Sequence, residues 1–389
     1  MGSKKVEKRC DIDTDIRHYN VAGIHMSIQG VGEYADALRD YFRTEEIQDL
    51  GGSVSLSIIV SNNPEEVLIP AQFYSLSGKI SFNESEYCVK KKNCIYSVSN
   101  LFSSTGSTVL RLCYTRKKSL LHTVRVNLLN SSVDVSSSKD EFIFSVMNYQ
   151  VFLYIFALVL MKQRKLFIHC AMVERYDKAL ILVGTSGCGK TSTLFKFVED
   201  EKCRYMAEDF GVCGCDGYAH YMPKKMTIYE SDAKYENILI LQSLKQLTFW
   251  QRMRWKFFIL LGLNPSFHPA PEQVFNKDKI AKESKIETVI FLSRVGGGGT
   301  EISKLEINQA ELCTKIRYAA FRELGELNEI LNNIRAVGDE NTRKAYPELH
   351  KIEEEYEHML FEMLFDKRIG VMEVPLKAIP EDIMNNILG

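Results

Sequence analysis

Residues 179–191 read ALILVGTSGCGKT: an unbroken apolar run, a turn with three glycines, then a lysine and a threonine. Five apolar residues bounded by a glycine read as a buried strand. The following TSTLFKFVE, 191–199, continues as a helix. The pattern G-x-x-x-x-G-K-[ST] is met by Gly184, Gly189, Lys190 and Thr191, in the strand–loop–helix context its chemistry requires. Glycines 184, 187 and 189 permit dihedrals and close approaches that side chains would block, so loop N–H groups can turn inward toward phosphate oxygens. The helix N-terminus adds partial positive charge, Lys190 is placed for the β- and γ-phosphates, and the Thr191 hydroxyl for Mg²⁺. The expected nucleotide contacts are therefore Gly184, Thr185, Ser186, Gly187, Cys188, Gly189, Lys190, Thr191 and Ser192. Cys188 is read as a small residue that fits the loop, ahead of a redox switch in which a thiolate favoured by the helix dipole and Lys190 is oxidised and blocks nucleotide entry.

Outward from the loop, strands are expected near 166–173, 203–208, 211–215, 287–293 and 370–376, with helices at 190–199, 312–334 and 349–365. This half is α/β. Glu208 and Asp209 fall at the C-terminal end of a strand predicted beside the loop strand, where α/β sheets place their sites. Phosphoryl transfer needs a cradle, a metal and a carboxylate that takes a proton from the attacking hydroxyl. Thr191, Glu208 and Asp209 are the candidate metal ligands, and Asp209 the candidate proton acceptor.

Before residue 140 the sequence alternates in period two at SVSLSIIV (53–60), TVLRLCY (108–114) and TVRVNLL (123–129), broken by turn-rich segments. A β-rich α+β domain over 1–140 is expected, ending in the serine-rich stretch 130–141 as a linker, then a phosphate-loop domain over 141–389 with helical C-terminal additions. With 389 residues, 45% of them apolar, the chain can bury a core for two domains. Residues 142–161 are uncharged and about the length needed to span a bilayer, but Ser145, Asn148, Tyr149 and Gln150 interrupt them. A core helix is expected there, and no membrane partner. Lys plus Arg total 49 against 50 Asp plus Glu, so no basic field favours nucleic acid. Ten scattered cysteines and the lack of a secretory leader point to reduced thiols in a cytoplasm.

The stretch 166–213, LFIHCAMVERYDKALILVGTSGCGKTSTLFKFVEDEKCRYMAEDFGVC, resembles the catalytic core of the HPr kinase/phosphorylase family and of the wider group shared with phosphoenolpyruvate carboxykinases. It carries the same succession of a strand with His, a hairpin, the loop, a helix and a strand ending in an acidic pair. The resemblance implies a P-loop kinase fold and Mg²⁺-dependent phosphoryl transfer from ATP to a hydroxyl of a small molecule or a peptide serine. It places catalytic roles on His169, Lys190 and Asp209, and makes a homo-oligomer plausible. The acidic pair departs from the family's usual Asp-Asp, and the family's later glycine-rich signature has no match, so HPr itself is not implied as the acceptor. Two other readings of the loop stand beside the kinase: a nucleotide-hydrolysing switch and a nucleotide-sensing protein, each acting through a partner.

Two further segments stand out. Arg294, followed by VGGGG, suits a mobile flap or an ordinary loop. FWQRMRWKFFILLGL, 249–263, interleaves aromatics with Arg252, Arg254 and Lys256; an amphipathic helix packed on the core is expected ahead of a surface for an acidic partner, a nucleotide base or a membrane.

Overall fold

The computed structural model describes residues 15–48, 53–69, 73–74, 80–83, 85–91, 94–101, 106–114, 132–135, 143, 146–147, 151–233, 238–296, 301–337 and 351–388. The segment expected as a strand at 123–129 lies outside them, as do residues 297–299 of the glycine run.

The two remaining period-two segments form the middle of a nine-stranded sheet. Its strands are β1 (Ile16–Val21), β2 (Ile24–Gly30), β3 (Glu46–Ile47), β4 (Leu56–Ser61), β5 (Phe73–Tyr74), β6 (Ile80–Phe82), β7 (Glu86–Lys90), β8 (Cys94–Ser99) and β9 (Thr108–Tyr114), in the order β3-β1-β2-β4-β9-β8-β7-β6-β5. β2, β4 and β9 run parallel and the other pairs antiparallel. Alternation puts Leu56, Ile58 and Val60 of β4 in the core, as a one-sided buried strand requires. Helix α1 (Glu33–Tyr41) lies against β2.

Helix α2 (Phe152–Lys162) has every residue from Phe152 to Met161 buried, the behaviour of a helix apolar on all sides. It joins the two halves of the molecule. Tyr154 shares its hydroxyl with Tyr87 at 2.8 Å and Tyr96 at 3.3 Å, and Phe152 meets Phe42 at 5.5 Å, while on the other side Phe156 meets Phe167 at 6.0 Å. One hydrophobic core therefore runs from the N-terminal sheet into the C-terminal half. Among the described residues no helix is long and apolar enough to cross a membrane.

The serine-rich stretch expected as a linker contains a strand, β10 (Ser132–Asp134), paired parallel with β18 (Asn264–Phe267), which also pairs with β17 (Ile228–Tyr229). A linker expectation from composition misses this because the pairing is with residues far along the chain.

The second large sheet holds β11 (Lys165–Ile168), β12 (Cys170–Arg175), β13 (Lys178–Gly184), β14 (Cys203–Ala207), β15 (Gly211–Gly214), β16 (Tyr218–His220) and β19 (Glu283–Val295), ordered β11-β15-β16-β19-β13-β12-β14. β21 (Arg368–Pro375) pairs with β19, and β20 (Ser303–Leu305) with β21. β19 is parallel to β13, whereas β12 is antiparallel to both β13 and β14. Thus β13, β14 and β19 end at one edge of the sheet, the edge where β12 begins. β12 separates β14 from β13, so the acidic strand is one position farther from the loop strand than the sequence suggested.

Helix α3 (Lys190–Glu199) follows the loop. Then come α4 (Ile238–Lys245) and α5 (Phe249–Leu260), and near the C-terminus α6 (Gln309–Glu323), α7 (Gly325–Val337), α8 (Ile352–Met363) and α9 (Pro380–Leu388). The single helix expected over 312–334 is two, separated at Leu324 just before Gly325. The molecule is mixed α/β with a β-rich N-terminal region.

Candidate functional site

Gly184 ends β13 directly against β19: a Cβ there would lie 2.4 Å from the Leu292 carbonyl oxygen, so the turn can leave the sheet only at glycine. Gly189, at φ +100°, caps α3 in the left-handed region, and α3 begins with Lys190. Between them Gly187 faces open space, with nothing within 4 Å of an added Cβ. The Cys188 side chain turns inward and is buried, which fits the reading of a small space-filling residue. Thr185 and Ser186 complete the loop, and the Ser192 hydroxyl donates back to the Gly189 carbonyl at 3.2 Å.

Lys190 is buried, yet its ammonium donates only to the carbonyls of Gly184 at 2.8 Å and Thr185 at 3.1 Å, with the Cys188 sulfur at 3.9 Å. Among the described residues no carboxylate lies within salt-bridge distance of it. A buried cation with no carboxylate at salt-bridge distance among the described residues, at the positive end of a helix and beside an open glycine loop, is suited to an anion.

The next residue, Thr191, donates its hydroxyl to Glu208 Oε1 at 2.9 Å. Glu208 is buried, and its other oxygen accepts from the Thr227 backbone at 3.3 Å. Burial pushes the Glu208 carboxyl up to about 7, with the Lys224 ammonium opposing the rise and the Asp209 charge adding to it. Asp209 itself has φ +68°, left-handed for a residue that is not glycine, in a tight turn closed by Phe210 N–H donating to the Glu208 carbonyl at 2.8 Å. Aspartate tolerates this region better than most residues, and such strain concentrates at functional sites. The turn separates the two carboxylates, sending Glu208 to Thr191 and Asp209 to Lys224 and His169.

Asp209 Oδ2 accepts from Lys224 Nζ at 2.7 Å, and Oδ1 lies 3.3 Å from His169 Nε2. Burial alone would raise this carboxyl; the Lys224 ammonium and the His169 ring outweigh burial and hold it well below the usual carboxylate range. The run 166–173, expected as one strand, is two: β11 pairs with β15, and β12 with β13 and β14. His169 occupies the bend between them, which places it at the same sheet edge as the loop and the acidic pair. Its Nδ1 is buried without a hydrogen bond, 3.8 Å from Glu323 Oε1 at the end of α6.

Three contributors were not found from the sequence. Lys224, 1% exposed, sits in the irregular segment between β16 and β17; its only sequence signal is a charged pair set between Met222 and Met226, both buried. Glu323 ends a helix more than a hundred residues downstream. Tyr41, from α1 of the N-terminal half, accepts from the Lys225 backbone at 3.2 Å and, being buried, has its hydroxyl pushed up to about 12. Arg294 lies on the ordered end of β19, its guanidinium donating to the Pro375 carbonyl and standing 3.7 Å from where a Gly189 Cβ would be. It stands beside the loop on a strand that extends through Val295, and the flap suggested by the glycines that follow falls mostly outside the described residues.

Lys224→Met should test how strongly the acidic pair depends on this buried ammonium. Removing one member of a buried pair costs about 3–5 kcal/mol, read by urea unfolding at neutral pH. Because the folded-state pKa of Asp209 is depressed, its contribution is present above the unfolded value of about 4 and is lost as pH falls. The variant's deficit should therefore shrink in acid, and the double variant Lys224→Met/Asp209→Asn should recover part of it. A deficit unchanged by pH and by the second substitution would show that packing, not charge, is what Lys224 supplies.

No protein-family model and no curated protein matches the chain. Among the described residues no group of three His, Cys, Asp or Glu side chains is arranged to hold a metal ion. A Mg²⁺ ion bound with a nucleotide does not need one, since a hydroxyl, one or two carboxylates, phosphate oxygens and waters fill its octahedron.

Proposed function

We propose that the chain is an ATP- and Mg²⁺-dependent kinase with an HPr kinase-like P-loop domain, transferring the γ-phosphate to a hydroxyl of a small molecule or a peptide. The observation that carries this reading is the divergence of two adjacent carboxylates, Glu208 bonded to the first-turn hydroxyl of α3 and Asp209 held apart by Lys224 and His169. A metal-holding group and a hydroxyl-orienting group are both needed beside a phosphate cradle.

In this reading the 184–192 loop and Lys190 receive the nucleotide phosphates. Thr191 and Glu208 would hold the Mg²⁺, which would supply neutralising charge to the phosphates. Asp209 orients the acceptor hydroxyl and takes its proton. A loose transition state makes proton removal late, so a weakly basic carboxylate suffices and positioning contributes most. His169 bears on Asp209 Oδ1 and fixes the direction of that carboxylate.

The pH dependence of metal binding follows from Glu208. Its carboxyl titrates near 7, so protons compete with the cation below that pH. The Mg²⁺ concentration giving half-maximal ATP turnover should fall as pH rises from about 6 to 8, by roughly tenfold per unit at the acid end. Glu208→Gln should need far more Mg²⁺ and lose this pH dependence. An unchanged Mg²⁺ requirement in Glu208→Gln would remove Glu208 from the metal site.

A further inference from the structure

Helix α5 was expected to lay its apolar face on the core, and it does so with little of its surface. Thr248 caps it in a reciprocal capping box with Gln251, and within the helix only Trp255 is buried, edge-on to Phe267 at 5.8 Å. Phe258 is half-buried against the same core and Ile259 is 40% exposed on the flank, whereas six apolar side chains face out: Phe249 is 66% exposed, Trp250 75%, Met253 51%, Phe257 56%, Leu260 85%, and Leu261 just beyond the helix 54%. At about 100° per residue these six fall within one arc of roughly 120°. Arg252 and Lys256 border one margin of the arc and Arg254 the other. From residue 238 to 271 there is no aspartate or glutamate, against Lys245, Arg252, Arg254 and Lys256, in a chain whose net charge is only −1.

We propose that α5 lies flat on an anionic lipid bilayer, its aromatic and aliphatic arc sunk to the acyl boundary and its bordering cations at the level of the lipid phosphates. Isolated exposed apolar residues are ordinary, but a contiguous patch of this size marks a contact surface. Trp, Phe and Leu on one arc with Arg and Lys at its borders is the composition of an interfacial helix. Charge selects the occupant. A two-fold contact between two copies of α5 would set Arg252 and Lys256 against the same cations with no acid in the helix to offset them, whereas an anionic surface supplies them with counter-charge. This assignment does not depend on the kinase reading; it concerns a different face and would hold for any activity.

The test uses the full chain and sucrose-loaded vesicles of phosphatidylcholine, with and without phosphatidylglycerol. Sedimentation should be at least tenfold stronger with the anionic lipid and should weaken with added salt. Arg252→Gln/Lys256→Gln should lower the partition by about 25-fold, at roughly fivefold per cation. The chain has two tryptophans, Trp250 exposed and Trp255 buried, so the emission should shift to the blue on binding, and Trp250→Phe should abolish the shift while retaining sedimentation. Phe257→Glu/Leu260→Glu, which alters only outward-facing side chains, should abolish binding with the circular dichroism unchanged. Absence of sedimentation, or equal sedimentation with both lipids, overturns the proposal. So does a concentration-dependent dimer that dissociates in Phe257→Glu/Leu260→Glu without any lipid binding, because the occupant would then be a second copy.

Discussion

Asp209→Asn is expected to lower phosphate transfer by about 10³- to 10⁴-fold while leaving nucleotide affinity within a few-fold of wild type. The side chain loses its charge and its proton-accepting capacity but keeps its length. Asparagine also tolerates the left-handed backbone that residue 209 adopts at φ +68°, so the turn directing Glu208 toward Thr191 should persist. The substitution takes from Lys224, 1% exposed, the carboxylate it donates to at 2.7 Å, which should cost about 3 kcal/mol of stability. Activity must therefore be measured at a temperature where the variant's near-UV spectrum matches wild type. Retained transfer under those conditions would move the proton acceptor away from Asp209, with His169 the nearest remaining candidate.

Lys190→Ala is expected to weaken nucleotide binding by about 10- to 100-fold, the worth of charge-assisted hydrogen bonds to phosphate, and to reduce transfer by about 10³-fold. The companion result is the more discriminating one. The ammonium is buried against two carbonyls and a sulfur, and among the described residues no carboxylate is within salt-bridge distance, so removing it relieves a poorly compensated charge. Stability without nucleotide should hold or rise as activity is lost. If Lys190→Ala instead unfolded the protein while its small folded fraction remained active, Lys190 would be a structural residue and the phosphate reading of the loop would fail.

The loop and its flanks were legible because their information is local. An apolar run, glycines at fixed offsets and a helical stripe give β13 and α3 within a residue of their observed bounds, and period-two alternation gives β4 and β9 nearly as well. Sequence reading weakened where a residue's role depends on distant partners. Apolar residues on both sides of His169 read as one strand, and only pairing with β15 on one side and β13 on the other creates the bend that presents the imidazole. Lys224 and Glu323 reach the site through connections that no periodicity encodes, and Tyr41 does so from the other half of the chain. In α5 the periodicity was plain, but Trp255 and the Phe249–Leu260 stripe are both apolar, and the sequence does not say which one meets the core.

The central claim is that phosphate leaves a nucleotide for a hydroxyl acceptor at Asp209. It is tested most directly by incubating the protein with γ-labelled Mg·ATP and a cell extract separated into small molecules and polypeptides, with Asp209→Asn run in parallel. The account predicts label in one of the two fractions with the wild-type protein and none with the variant. Release of ADP without a labelled acceptor, or no turnover at all, would contradict it and leave a hydrolytic switch or a nucleotide sensor in its place.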